Sequence, residues 1–241
     1  FRSASNIFEI KTDADWETFR KLVEDAKGEK DVDATLIADI NISVPVGGKY
    51  STGWRGNFDG GGHTLTANIL QFTAEDECMS PFRYVTGNSV IRNLTVAGHI
   101  KGRAMTAGIA GGIDDIAYLT LSGCRVTAFI EGFKYAGGIV GHAGRSQLTV
   151  KNCLFDGRIN NWTYIDDSYG AAFVAWGNPG ANVTVQNCME NAHWENNRWH
   201  HTAPNWQYNG QKKNIGSYFI GDNIWTSRLE ERFSRNAETD I

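Results

Sequence analysis

Between residues 91 and 192 the chain alternates apolar with other residues in short bursts that return at nearly constant intervals. Four segments carry the burst: Ile91-Arg-Asn-Leu-Thr-Val-Ala-Gly98, Leu121-Ser-Gly-Cys-Arg-Val-Thr-Ala128, Val150-Lys-Asn-Cys-Leu-Phe-Asp-Gly157 and Val185-Gln-Asn-Cys-Met-Glu-Asn-Ala192. Their equivalent positions Leu94, Cys124, Cys153 and Cys188 lie 30, 29 and 35 residues apart, the last interval lengthened by residues 160 to 168. A second element runs in phase: Ala107-Gly-Ile-Ala-Gly111, Gly137-Gly-Ile-Val-Gly141 and Ala171-Ala-Phe-Val-Ala175, with Ser80-Pro-Phe-Arg-Tyr84 as an earlier, degenerate copy. Period-two alternation marks a strand with one buried face. A strand this short cannot bury that face alone, so successive coils must stack in parallel register around a shared interior. The fold this predicts is all-β, a right-handed parallel β-helix of about five to six coils over residues 35 to 195.

An open stack leaves unpaired strand edges at both ends, so caps are expected. Trp16, Phe19, Leu22, Val23 and Ala26 fall at helical spacing, Thr12 or Asp13 suits an N-cap, and Gly28 supplies a stop. The spacing predicts a helix over residues 14 to 27 within an N-terminal segment 1 to 34, with the stripe laid on the N-terminal opening. Residues 196 to 241 read as a C-terminal cap, with strand-like alternation from Ile215 to Trp225 and a charged segment from Ser227 to Arg235. The whole chain, 1 to 241, reads as one domain.

The recurring Asn-Cys strand and Gly-Gly-Ile-Val-Gly strand resemble the GLUG-motif β-helical surface proteins of gut Bacteroidetes and Gram-positive bacteria. The resemblance covers residues 35 to 195, including Leu36-Ile-Ala-Asp-Ile-Asn-Ile42 and Phe58-Asp-Gly-Gly-Gly-His-Thr-Leu65 as the entry coil; Ala171, Ala172 and Ala175 depart from it where glycines are usual. It implies a secreted or surface-anchored setting and no defined ligand.

Composition narrows the partners. The net charge of −4 and scattered distribution of 23 Lys plus Arg give no basic stripe for a phosphate backbone, so no nucleic-acid partner is expected. No apolar run reaches the ~20 residues of a membrane span, and the chain opens at Phe1-Arg-Ser-Ala-Ser5, as a mature or trimmed chain would. A monomer is expected.

The candidate chemistry is sparse. Cys124, Cys153 and Cys188 lack the short spacing of zinc ligands and read as an inward ladder of small apolar groups, with Cys78 free as well. Asn93, Asn152 and Asn187 read as an asparagine ladder at a turn. Asp59 and His63 could do acid and base work, yet Asp-Gly-Gly-Gly-His also suits a turn in which Asp caps backbone amides. Asp114 and Asp115 read as turn formers, and His193, His200 and His201 fit no short metal motif. No metal or cofactor is implied. Trp162, Tyr164, Asp166 and Asp167 occupy the extra segment 160 to 168, and Trp194 and Trp199 follow in the next coil. Rings beside carboxylates suit a sugar, whose C–H face stacks while its hydroxyls bond; a loop folding back on itself is the alternative. Three functions remain open: glycan binding or adhesion, a polysaccharide lyase or hydrolase, and a purely structural segment, with the weight leaning away from an enzyme.

Overall fold

The structure is a computed structural model; it describes residues 7–70, 77–161, 169–191, 193–195, 206–208, 211–213 and 218–220. Three walls of parallel strands repeat along the chain and make it a parallel β-helix. The first wall holds strands Phe8–Ile10, Ala34–Leu36, Asn57–Asp59, Asn88–Arg92, Tyr118–Ser122, Gln147–Lys151 and Asn182–Gln186, each paired in parallel with the next. The second wall runs from Ile40–Ile42 through Thr64–Leu70 and Thr95–Gly102, then splits in each coil into two short strands, as in Arg125–Val126 and Phe129–Gly132. The third holds Phe82–Val85, Ala110–Ile113, Val140–His142, Val174–Gly177 and Trp206–Tyr208. A small sheet of Thr106–Ala107, Tyr135–Gly137 and Tyr169–Ala171 forms the corner between the second and third walls.

Register follows the sequence repeat. Ile91, Leu121, Val150 and Val185 are Cα partners on the first wall, as are Ile69, Ile100, Ile130 and Ile159 on the second. All eight are fully buried, so each column is a stripe of apolar contact running along the stack. Leu94, Cys124, Cys153 and Cys188 each immediately precede register partners and are all buried, which makes the interior column expected from their spacing. The preceding residues Asn93, Gly123, Asn152 and Asn187 all have φ between 50° and 63°. One left-handed residue per coil therefore turns the chain from the first wall to the second, a conformation Asn and Gly tolerate best. The extra residue at Asn152 shifts the alternation by one, so that Val150 and Cys153, three apart, both face inward. The amides do not form an unbroken ladder, because Gly123 interrupts it and Asn93 Nδ2 donates instead to Asp59 Oδ1 at 3.2 Å.

The N-terminal cap is a helix, Asp13–Ala26, with Thr12 as N-cap. Thr12 Oγ1 accepts from the Asp15 amide at 3.2 Å while Asp15 Oδ2 accepts from the Thr12 amide at 2.9 Å, a reciprocal capping box. The Thr12 hydroxyl bond, with the Lys11 amide, holds the Asp15 carboxyl below its usual range. Lys27 ends the helix at φ 50°. Gly28 follows, where a Cβ would lie 2.0 Å from the Ser51 carbonyl oxygen. The buried stripe is Trp16, Phe19 and Val23; Leu22, expected in it, is 41 % exposed because the helix turns that edge away from the opening. Trp16 packs edge-on to Phe58 and Phe82, with centroids 6.2 and 6.0 Å away. Its Nε1 donates to the Val44 carbonyl. The cap is thus an aromatic plug seated on the first coils.

One element escaped the sequence reading. Phe8–Ile10 precedes the helix and pairs with Ala34–Leu36, so parallel stacking starts before the plug rather than after it. Among the described residues no helix is long and apolar enough to cross a membrane.

Candidate binding surface

Several sequence candidates resolve into scaffold. Asp59 Oδ1 accepts from the Gly61 amide at 2.9 Å and Asp59 Oδ2 pairs with Arg92 at 2.7 Å, so this carboxylate caps its turn and ties it to the next coil. His63 Nδ1 faces Asp39 Oδ1 at 3.3 Å, which also accepts from the Thr64 amide. The two residues offered for acid and base work serve different partners. Asp114 accepts from the Ile116 amide, and Asp115 accepts from the Arg145 amide of the following coil, as turn formers do. The four cysteines are free and buried. Cys124, Cys153 and Cys188 donate to backbone carbonyls beside the turn, at 3.5 Å to Ser122, 3.3 Å to Lys151 and 3.2 Å to Gln186, so the thiols also satisfy corner carbonyls. Among the described residues no His, Cys, Asp and Glu group could hold a metal.

Trp162, Tyr164, Asp166, Asp167 and Trp199 lie outside the described residues. Segment 162–168 connects strand Arg158–Asn161 to strand Tyr169–Ala171. The backbone register pairs Trp194 with Ile159, the position held by Ile100 and Ile130 in earlier coils, rather than with Trp162.

An aromatic surface that the sequence reading missed lies on the same corner and the third wall. Tyr84, Gly112, His142 and Trp176 occupy one register column. The Tyr84 ring covers Gly112, where a Cβ would lie 2.6 Å from it, and Tyr50, 61 % exposed, packs on Tyr84 with centroids 5.6 Å apart. At the other end Tyr135, from the corner sheet, stacks on Trp176 with centroids 5.3 Å apart and planes 28° apart, and lies 5.9 Å from the His142 ring. Tyr135, Trp176 and His142 are all half-buried. Lys134 Nζ stands 5.4 Å over the Tyr135 ring.

The polar rim is fixed by hydrogen bonds. Trp176 Nε1 donates to Asn178 Oδ1 at 3.2 Å. His142 Nδ1 accepts from the Gly144 amide, which leaves the ring proton on Nε2 facing Asn178 Oδ1 at 3.3 Å. Burial lowers the His142 pKa, opposed by the Asn178 bond and the Asp115 charge, so the ring sits neutral at pH 7. Aromatic faces with a neutral imidazole, an amide and an ammonium form a surface that can stack on apolar ring faces while bonding hydroxyls.

Comparison with known proteins adds the fold alone. No protein-family model matches the chain, and a search of curated proteins also gave no match. Among solved structures, a Bacteroides ovatus protein titled a "putative immunoglobulin A1 protease" is similar, with a TM-score of 0.54 and 12% sequence identity. The match covers 97% of this chain and 89% of that one. At that identity the likeness is one of architecture: this chain is a nearly all-β, parallel β-helical protein with an N-terminal helical cap.

Proposed function

We propose that this chain is a glycan-binding module of a secreted or surface-anchored protein of the GLUG-motif type, acting as a monomer. The single observation that carries the reading is the part-buried Tyr135–Trp176 stack bordered by His142, Asn178 and Lys134. Stacked rings that keep part of their surface in solvent offer a face that a sugar ring takes readily. Trp162, Tyr164, Asp166 and Asp167, in the segment that precedes the strand whose Tyr169 is the register partner of Tyr135, are proposed to extend the site. Trp194 and Trp199, further along the chain, are proposed as additional contributors.

The test is a glycan array on the wild type, followed by titration of the best ligand into Trp176→Ala and Tyr135→Ala. Loss of one stacking ring should cost on the order of 1 kcal/mol, about fivefold in Kd. Unchanged affinity in both variants would remove the site. Reducing-sugar and unsaturated-uronate assays run alongside address the alternative of a polysaccharide lyase or hydrolase, since product release would replace binding with catalysis.

A further inference from the structure

The aromatic surface of the third wall has a second end. Tyr50 sits in a short helical turn, Tyr50–Thr52, on a loop whose two ends are fixed to the strand that carries Tyr84: Val46 bridges to Phe82 and Trp54 to Val85. The Gly48 amide donates to the Thr52 carbonyl and the Gly53 amide to the Tyr50 carbonyl, both at 3.0 Å, so the loop is closed on itself. Within it Tyr50 takes φ 53°, a conformation that a bulky side chain adopts only under constraint. The strained residue presents its ring to solvent, edge-on to the buried Tyr84 ring.

The path from this end to the Tyr135–Trp176 stack is small and uncharged. From Tyr84 the register column runs through Gly112 and His142 to Trp176, three inter-strand steps or about 14 Å. Gly112 adds no side chain, and Cys78 fills the space beside it, its Sγ 3.1 Å from where a Gly112 Cβ would stand. Cys78 Sγ lies 3.5 Å from Met105 Sδ. Met105, half-buried, stands on the same corner as Tyr135 one coil earlier, since the two immediately precede the register partners Thr106 and Ala136. Between the aromatic ends the path is therefore a glycine, two sulfur side chains and an imidazole that burial keeps neutral. Thioether and ring faces suit apolar C–H surface rather than charge.

We propose that the glycan of this surface is an uncharged, extended chain laid along the stack, touching Tyr50 at one end and the Tyr135–Trp176 stack at the other. This rests on the reading of that stack as a sugar site and adds the length, shape and direction of the ligand. A register column runs straight along the coils, so both ends are reached together only by a chain that is itself straight over about 14 Å, roughly four sugar rings. Pyranose chains of the cellulose, mannan and xylan type form such flat ribbons with apolar C–H faces, whereas chains of the amylose type coil away from a straight path. Two contacts on one chain also strengthen each other, because the second forms at the effective concentration set by the first.

The test titrates cello-, manno- and xylo-oligosaccharides, from disaccharide to hexasaccharide, into the wild type, with malto-oligosaccharides as the coiled comparator. In at least one extended series affinity should rise steeply up to about four sugars and then level off, with the malto series weaker. Tyr50→Ala should lower the hexasaccharide's affinity about fivefold and the disaccharide's by less, whereas Trp176→Ala should weaken both. Tyr50→Gly removes the same ring and suits the same φ, so it keeps the test decisive if the Ala variant fails to fold. A disaccharide that binds as tightly as the hexasaccharide, equally tight malto-oligosaccharides, or unchanged hexasaccharide affinity in folded Tyr50 variants would overturn the extended ligand and leave the Tyr135–Trp176 site standing. A glycan-array ligand found while every extended series fails to bind would do the same. No sugar bound in either experiment would remove both.

Discussion

Gly138→Ala is the sharpest probe of how tightly successive coils approach. Gly108, Gly138 and Ala172 are equivalent, each following the register trio Ala107, Gly137 and Ala171. A Cβ at Gly138 would lie 2.2 Å from the Ala172 carbonyl oxygen and 2.6 Å from the Phe155 ring. Neither can step aside cheaply: Phe155 is fully buried, and the Ala172 carbonyl lies between the Ala171 and Phe173 carbonyls, which accept across coils from the Gly138 and Val140 amides. Overpacking a rigid interior of this kind costs about 3 kcal/mol. For a chain of this length that is a fall in Tm of roughly 6–12 °C. Gly62→Ala is the matched control, since Gly62 has φ +78° but nothing within 4 Å of a Cβ, so only the backbone penalty of about 1 kcal/mol applies. Thermal melts followed by circular dichroism compare the two. A Gly138→Ala protein as stable as Gly62→Ala, or more so, would refute the claim that close coil approach is what demands glycine here.

Two further outcomes follow from titratable groups. Burial lowers the His142 pKa, so between that depressed value and the unfolded value of 6.5 the unfolded chain binds more protons and stability falls as pH drops. Urea melts from about pH 8 to about pH 5 should show this slope reduced in His142→Gln; equal slopes would exclude the assignment. Thiol titration without reductant should find all four cysteines once the protein is denatured. Native Cys78, its pKa pushed up to about 12 by burial, should alkylate far more slowly than a free thiol at pH 8; prompt alkylation would contradict its burial.

The inward half of the architecture was legible because burial constrains residue type. Leu94, Cys124, Cys153 and Cys188 announce their column by spacing, and the left-handed turn is announced by Asn and Gly just before them. Outward columns tolerate many residue types, so Tyr84, Gly112, His142 and Trp176 share no repeat signature, and the short strand Phe8–Ile10 is too brief to show alternation on its own. A signal did exist for the aromatic surface: His142 and Trp176 each follow Val140 and Val174 at the same offset within the second repeat. Reading the repeat for its exposed positions as well as its buried ones would have aligned them. Trp194 stands at the register position of Ile159, set by inter-strand hydrogen bonding, while Trp162 lies outside the described residues.

The order strand, plug, strand at the N-terminal side gives the molecule a direction. Strand Phe8–Ile10 is laid first, the helix Asp13–Ala26 seals it, and Ala34–Leu36 returns to pair with it, so one tip is closed by the earliest described residues. Every later coil then docks on an edge that already exists, after a loop of nearly constant length whose closure costs nearly the same each time. The stack resembles a filament with one blocked end. Trimming coils from the C-terminal side should leave a shorter folded molecule, whereas deleting the helix would lay bare Phe58 and Phe82 and turn a closed tip into a sticky one.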